Sequence, residues 1–280
     1  MQLKYTSKKR MADVYRGATL LGGRLVSASL APYRYEPMHR ITATDVVICG
    51  YPKSGNTWVQ NLFAGAFFGV STEYMPDALS QELVPDLDYK ITYKRLHPDQ
   101  MFFCTHGYPN PLFRNVVHLV RDPRDVMASY AAMNAGLGRT ASVEDMVLRG
   151  EDLYFGRWHE HTRAWLDNPH GARVVTLRYE DLLASPVDEI ERVLKEFAID
   201  RPRDVIERAV KGSSLAQMKR KEERYGFDKR MISADKWSEG ASFVRAGKAG
   251  GHSSELTPSL VEAIVKDSAA EMRSLGYLES

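Results

Sequence analysis

Asp45-Val-Val-Ile-Cys-Gly50-Tyr-Pro-Lys53-Ser-Gly55-Asn-Thr57-Trp58 is the stretch that decides how this chain folds. It opens as an apolar run too short for a helix and bounded by Gly and Pro, the pattern of a buried strand. It continues into Thr57-Trp-Val-Gln-Asn-Leu-Phe-Ala64, whose apolar residues at 58, 59, 62 and 63 have the spacing of an amphipathic helix. Between the two lies a loop with a proline, a lysine and two glycines. A strand that feeds such a loop into a helix start is a ready anion site, because free backbone N–H groups and the positive end of the helix dipole meet there. Lys53, Ser54, Asn56 and Thr57 add donors that a plain connector does not need.

The spacing narrows the kind of anion. Gly50 and Gly55 stand where the two glycines of G-x-x-x-x-G-K-[ST] would stand, yet Asn56 takes the lysine position and the lysine has moved forward to Lys53. A nucleoside-triphosphate site needs that lysine on the β/γ-phosphates and a hydroxyl on Mg²⁺, so this loop suits a kinase poorly.

Other segments repeat the strand-then-polar-residue pattern. Met101-Phe-Phe-Cys-Thr-His106 is a short apolar run ending in a histidine, at the point where open α/β sheets bind ligands. Val116-Val-His-Leu-Val120 runs into Arg121-Asp-Pro-Arg124-Asp125 and then into a helix over Val126 to Met133, with Asp122-Pro123 as its start signal. Ser129 lies two helical turns beyond Arg121, close enough to share one anion. Arg173-Val-Val-Thr-Leu-Arg178 is a fourth strand that leads to Tyr179-Glu-Asp181.

Tyr51-Pro-Lys-Ser-Gly-Asn-Thr-Trp58 closely resembles the 5′-phosphosulfate loop Y-P-K-[SA]-G-[TN]-[TS]-W of the cytosolic-type sulfotransferases, and the chain reads as a bacterial member. These enzymes bind 3′-phosphoadenosine 5′-phosphosulfate (PAPS). The resemblance implies that Lys53, Ser54, Gly55, Asn56 and Thr57 hold the 5′-phosphosulfate and that Trp58 stacks on adenine. It implies further that Arg121 and Ser129 bind the 3′-phosphate and that Tyr179, in an R-Y-E-D-L string, sits by the adenine. Cys104-Thr105-His106 matches a [KR]-T-H segment carrying the general base, which implies His106 as base with the basic residue missing at 104. Ser242-Phe-Val-Arg245-Ala-Gly247 resembles the R-K-G clamp over the 3′-phosphate. Arg245 and Gly247 match, Ala246 replaces the Lys, and His252 stands where a Trp would be. Leu215 falls where the family often has an adenine-stacking Phe.

The expected fold is therefore an α/β, P-loop-type domain with a central parallel β-sheet flanked by helices on both faces. The 280 residues, 44% hydrophobic, suffice for one full core. A net charge of +2 fits an anionic cofactor and excludes the strongly basic surface of a nucleic-acid binder. Cys49 and Cys104 lie within apolar runs and read as reduced core residues, with no metal site. Residues 1–44 read as an N-terminal helical extension and 45–280 as a single domain with a mobile lid near 219–251. Lys8-Lys-Arg10 before the Gly17 to Ala31 run looks superficially like a signal peptide, but Arg24 interrupts it and it is too short to span a bilayer. A cytoplasmic protein is expected, with peripheral membrane contact through 1–44 as the minor alternative.

Along the rest of the chain, Ser71 to Gln100 reads as loops and short helices and, with 134–141, as a wall for an acceptor pocket. Ser142-Val-Glu-Asp145 resembles a capping box. Tyr154 to Asp167 reads as a helix with Trp158 and Trp165 in the core and His159 and His161 on the surface. A helical pattern runs from Pro186 to Lys211, and Thr257-Pro258 should cap a last helix to about Met272. The implied chemistry is in-line attack of an acceptor hydroxyl on sulfur, with His106 taking the proton and Lys53 answering charge on the bridging oxygen. The acceptor could be a small molecule, a sugar or a lipid-linked glycan. A kinase-like P-loop phosphotransferase and a non-catalytic nucleotide-binding module remain as alternatives, and Glu73 and Glu82 as alternative bases.

Overall fold

The apolar runs at 46–50, 102–105, 115–120 and 173–178 are strands, and they lie side by side. The computed structural model describes residues 35–226, 244–245 and 247–279. In it β2 (Val46–Gly50) pairs in parallel with β4 (Phe102–Thr105) on one side and β5 (Asn115–Val120) on the other, and β5 pairs with β6 (Arg173–Arg178). The order β4-β2-β5-β6 is the parallel sheet of four strands that was expected. Its register sets Ile48 beside Cys104 and Val117, and Val117 beside Val175.

Both faces of this sheet are covered, which is why β2 and β4 are buried along their whole length, whereas the edge strand β6 alternates. On one face Val46, Ile48, Phe102, Val117, Leu119 and Leu177 meet helix α1 (Asn56–Phe68) and helix α6 (Pro186–Glu196). On the other, Val47, Cys49, Phe103 and Val116 pack on Trp165 of helix α4 (Trp158–Asp167). A further apolar layer joins helix α3 (Pro123–Gly136) to the terminal helix α9 (Pro258–Ser274). The remaining helices are α2 (Asp77–Leu83), α5 (Tyr179–Ala184), α7 (Arg203–Gly212) and α8 (Leu215–Tyr225). Both cysteines are free and buried, as their surroundings suggested.

Several boundaries follow local chemistry read from the sequence. Asp122 caps α3 by accepting from the Arg124 amide, with Pro123 in the first turn, and Thr257 caps α9 in the same way through the Leu260 amide. The Ser142–Asp145 box closes in both directions, at 3.1 Å and 3.0 Å, but the helix it opens is a single π-helical turn over Asp145–Arg149. Helix α4 begins at Trp158 instead of Tyr154. The Tyr154 amide is taken by the Tyr130 hydroxyl, Gly156 turns the chain with φ 74°, and Arg157 and Glu160 form the cap. The helical stretch from 186 splits into α6 and α7 at Ala198, whose φ of 58° interrupts it.

Residues 35–44 are not helical. β1 (Tyr35–Pro37) pairs antiparallel with β3 (Thr92–Lys94), and its Glu36 accepts from the Tyr93 hydroxyl at 2.7 Å. The rest of the expected extension, residues 1–34, lies outside the described residues, as do 227–243 and 246 of the segment expected to be a lid. That segment begins as ordered helix, since α8 runs to Tyr225. No helix among the described residues is long and apolar enough to cross a membrane.

Candidate active site

All four parallel strands deliver a residue to the same end of the sheet. β2 opens into Tyr51 to Gly55, β4 ends on Thr105-His106, β5 ends before Arg121, and β6 ends before Tyr179. The order reverses about β2, so a crevice opens there between diverging connections. A cavity of about 600 Å³ occupies it. Lys53, Gly55, Asn56, Thr57, Trp58 and His106 line it, as do Arg121, Ser129, Tyr179, Arg245 and Gly247. Ser54 does not: it is fully buried beneath the loop and its Oγ has no partner.

The loop is built to leave backbone donors available. Gly55 is the N-cap of α1 with φ 105°, and no side chain caps the first-turn amides. A Cβ at Gly55 would lie 2.9 Å from the Tyr179 ring, so only glycine permits this approach. Asn56 donates from Nδ2 to the Tyr51 carbonyl at 3.0 Å, which braces the loop across its own width. Lys53 has φ 71°, a left-handed conformation that costs a non-glycine residue roughly 1 kcal/mol or more and is retained here at the mouth of the crevice.

Three cations crowd this end. Arg121 donates to the Lys53 carbonyl at 3.1 Å and to the Lys248 carbonyl at 3.2 Å, and its guanidinium stacks 4.4 Å from the Tyr179 ring centre. Its Nε is buried without a partner. Arg245 donates to the Ala128 carbonyl and pairs with Glu255 at 2.6 Å. Burial, with Arg245 and Arg121 adding repulsion, lowers Lys53 from 10.5 to about 7. Orphaned donors, a bare helix start and mutually repelling cations together fit a polyanionic nucleotide such as PAPS. Trp58 and Tyr179 meet edge to face at 5.7 Å, and Trp58 is pinned by its Nε1–H to the Ser213 carbonyl at 2.9 Å. Leu215 lines the same cavity and packs against Gly247.

His106 is held on every side. Its Nδ1 is 2.7 Å from the Gly50 carbonyl, and its amide donates to Asp88 at 2.6 Å. The same carboxylate accepts from the Thr105 hydroxyl at 3.1 Å. His161 Nε2 donates to the His106 and Gly107 carbonyls at 3.0 Å and 3.1 Å, and Trp165 donates to Gly107 as well. Burial lowers the His106 pKa, against the opposing pull of Asp88. His161, expected on the surface, is instead fully buried, and burial lowers its pKa to about 4. The turn after β4 leaves carbonyls that need donors, and α4 supplies them from the same face as Trp165. Cys104 packs into the apolar layer around Ile48 and Phe102, so position 104 does not reach the cavity.

Sequence reasoning missed Asp88, His161 and Tyr51, the last being buried with its hydroxyl on the Gly156 carbonyl. It also missed Asp125, which accepts from the Gly250 and His252 amides and from His252 Nδ1, tying that segment to α3. A carboxylate one turn into a helix beside Arg121 was the available signal. Both loops expected as walls contribute: Tyr89 from 71–100, and Leu137, Gly138 and Arg139 from 134–141. Glu73 and Glu82 do not line the cavity.

Comparison with known proteins agrees with this arrangement. The family model described as "Sulfotransferase domain" matches residues 43–276. Sulfotransferase 1 family member D1 of Mus musculus is 23% identical over 248 residues, covering 81% of this chain and 83% of that protein. Sulfotransferase 1A1 of Rattus norvegicus is 27% identical over 205 residues, covering 65% and 70%. Among solved structures, retinol dehydratase in complex with androsterone and the inactive cofactor PAP superposes with a TM-score of 0.64 at 19% identity, over 82% of this chain and 81% of that one. That last likeness speaks for the fold. With a domain match that spans nearly the whole described chain, this protein belongs to the sulfotransferase family, whose members move a sulfuryl group from PAPS to an acceptor hydroxyl.

Proposed function

We propose that His106 is the general base and that Lys53, the 54–58 loop, Arg121 and Ser129 hold the donor, while a compact, ring-bearing acceptor enters beyond His106. One observation carries the assignment. The Gly50 carbonyl beside His106 Nδ1 can only accept, so Nδ1 bears the proton and Nε2 keeps a lone pair. Burial favours this neutral form at pH 7.

PAPS, when bound, supplies a sulfuryl group already joined to a phosphate leaving group. Nε2 of His106 accepts the proton of the acceptor hydroxyl as its oxygen bonds to sulfur. The Lys53 ammonium compensates negative charge on the oxygen released from sulfur. Amides at the start of α1, with Thr57, hold the 5′-phosphate, and Asn56 keeps that loop in shape. Arg121 offers a planar fork to the 3′-phosphate with the Ser129 hydroxyl beside it, and Arg245 and Gly247 close from the other side. Trp58 and Tyr179 flank the adenine. Asp88 and His161 orient the base through its backbone. Glu73 and Glu82 lie off the cavity wall, which favours His106 over either of them as the base.

Tyr89, Tyr130, Met133, Leu137 and Tyr154 line the cavity on the acceptor side. Such a wall favours an aromatic or apolar body over a glycan, whose hydroxyls would need partners. The enzyme is proposed to work in the cytoplasm. Flotation on anionic vesicles, comparing the full chain with one starting near Thr42, tests membrane contact through the N-terminal residues.

Labelled PAPS presented with phenols, apolar ring alcohols and free sugars tests the function. Label should pass to a phenol or ring alcohol, and preferential labelling of a sugar would refute the acceptor assignment. Adenosine 3′,5′-bisphosphate should raise Tm well above the effect of ATP with Mg²⁺. Equal stabilisation by ATP with Mg²⁺ would favour phosphoryl transfer.

A further inference from the structure

The cavity has a second, separate cationic end. Arg121 precedes the first residue of α3 and Arg139 follows its last, and both line the cavity. A helix of this length spans roughly 20 Å at 1.5 Å per residue, so the residues that flank it enter the cavity from its two ends, Arg139 reaching back as far as Asn134. Ser129, Met133 and Leu137 lie between them along the same helix.

The two ends differ in what their cations contact. Arg245 is paired with Glu255, and Arg121 is bound to loop carbonyls and stacked on Tyr179. Arg139 donates to the Asn134 Oδ1 at 3.2 Å and toward the Asp152 carbonyl at 3.5 Å, and no carboxylate among the described residues pairs with it. Its platform is firm: Asn134 is almost wholly buried, with its Nδ2 on the Met146 sulfur and the Asp152 carbonyl. Arg139 is exposed at the edge of the cavity, where neutral oxygens brace its guanidinium and leave its charge available to a ligand.

Beside it stand Tyr130 and Tyr154, joined through the Tyr154 amide and the Tyr130 hydroxyl at 2.9 Å. Tyr154 packs on Phe155 at 4.5 Å, and Phe155 on His106 at 5.7 Å. An aromatic wall thus connects the proposed base to the outer cation.

We infer that Arg139 selects an acidic acceptor: a ring-bearing hydroxy acid whose hydroxyl meets His106 and whose carboxylate meets the Arg139 fork. Charge makes the selection necessary. A bound donor carries several negative charges at the Lys53 end, and an anionic acceptor would be repelled without a cation at its far end. A planar guanidinium matches a carboxylate through two parallel hydrogen bonds. This inference rests on the reading that the hydroxyl enters at His106.

The test uses the full chain with PAPS and three phenols of increasing reach: 4-hydroxyphenylacetate, 3-(4-hydroxyphenyl)propionate and 4-(4-hydroxyphenyl)butyrate, each beside its neutral amide. At least one acid should exceed its amide by about tenfold in kcat/KM, the worth of one charge-assisted contact. The gain should lie in KM, because the carboxylate is remote from the reacting oxygen. In Arg139→Gln the acid-to-amide ratio should fall to near one, and Arg139→Lys should restore part of it. Amides that match their acids throughout, or an acid preference that survives in Arg139→Gln, would overturn the inference. If no phenol is turned over, the base assignment has failed, and calorimetry on the complex with adenosine 3′,5′-bisphosphate decides this inference separately. Arg139-dependent binding of an acid but not its amide would support it, and absence of such binding would overturn it.

Discussion

Donor binding should carry a proton with it, and Lys53 is the reason. In the free chain, burial and the neighbouring Arg245 and Arg121 lower its pKa from 10.5 to about 7. That shift corresponds to about 5 kcal/mol of disfavoured charge. A bound nucleotide with phosphates on both sides of this cluster reverses the repulsion and raises the lysine pKa again. Between pH 7 and the bound pKa, binding therefore takes up one proton, and the dissociation constant for adenosine 3′,5′-bisphosphate should weaken by about tenfold per pH unit. Below pH 7 the lysine is already charged and contributes no slope. The useful window is pH 7.5 to 9, above the second phosphate ionisation near ~6. Calorimetric titrations at pH 8, in two buffers of different ionisation enthalpy, should report uptake of about 0.9 proton. Lys53→Met should bind more weakly at pH 7 and show almost no uptake. An uptake near zero in the parent protein, or an unchanged uptake in Lys53→Met, would sink the reasoning. The same group acts on folding with the corresponding sign. The unfolded chain holds this proton up to about pH 10.4, so stability of the free protein gains from Lys53 as pH rises from 7 through that range.

Three further outcomes are expected. His106→Gln should slow turnover by roughly 10²–10⁴-fold while leaving affinity for adenosine 3′,5′-bisphosphate nearly unchanged; in the parent enzyme the acid limb of kcat/KM, which reports the free enzyme, should lie below the ordinary histidine value, because burial lowers the histidine pKa and the base must be neutral. Arg121→Ala should weaken that affinity more than Arg245→Ala, since Arg245 is already shared with Glu255; a reversed ranking by calorimetry would relocate the 3′-phosphate. Gly55→Ala should cost both stability, on the order of 1–3 kcal/mol, and nucleotide affinity, because it meets a positive φ and the Tyr179 ring together. Gly69→Ala, with a positive φ but open space around it, should cost about 1 kcal/mol in urea unfolding and leave affinity intact.

Each strand–loop–helix junction of this protein was legible in sequence because its meaning is local. Asp45 to Trp58 contains its own strand, its own glycines and its own helix start, and Arg121-Asp-Pro contains its own cap. The order of such junctions was enough to fix the sheet's direction and the end at which Lys53, His106, Arg121 and Tyr179 converge, since parallel strands all deliver their carboxyl ends to one edge. Other features depend on partners far away along the chain. Asp88 became the support of His106 only because β4 brings residues 105 and 106 against its carboxylate. His161, two residues from His159 on a helix, read as a surface residue, and it is buried where the turn after β4 offers carbonyls that a donor from α4 satisfies. Cys104 looked like a lost catalytic residue, and the pleat of β4 turns it into the core. The depressed pKa of Lys53 and the unanswered charge of Arg139 belong to the same class. Both come from groups brought together, or kept apart, by the packing of whole elements, and residue spacing does not encode those distances.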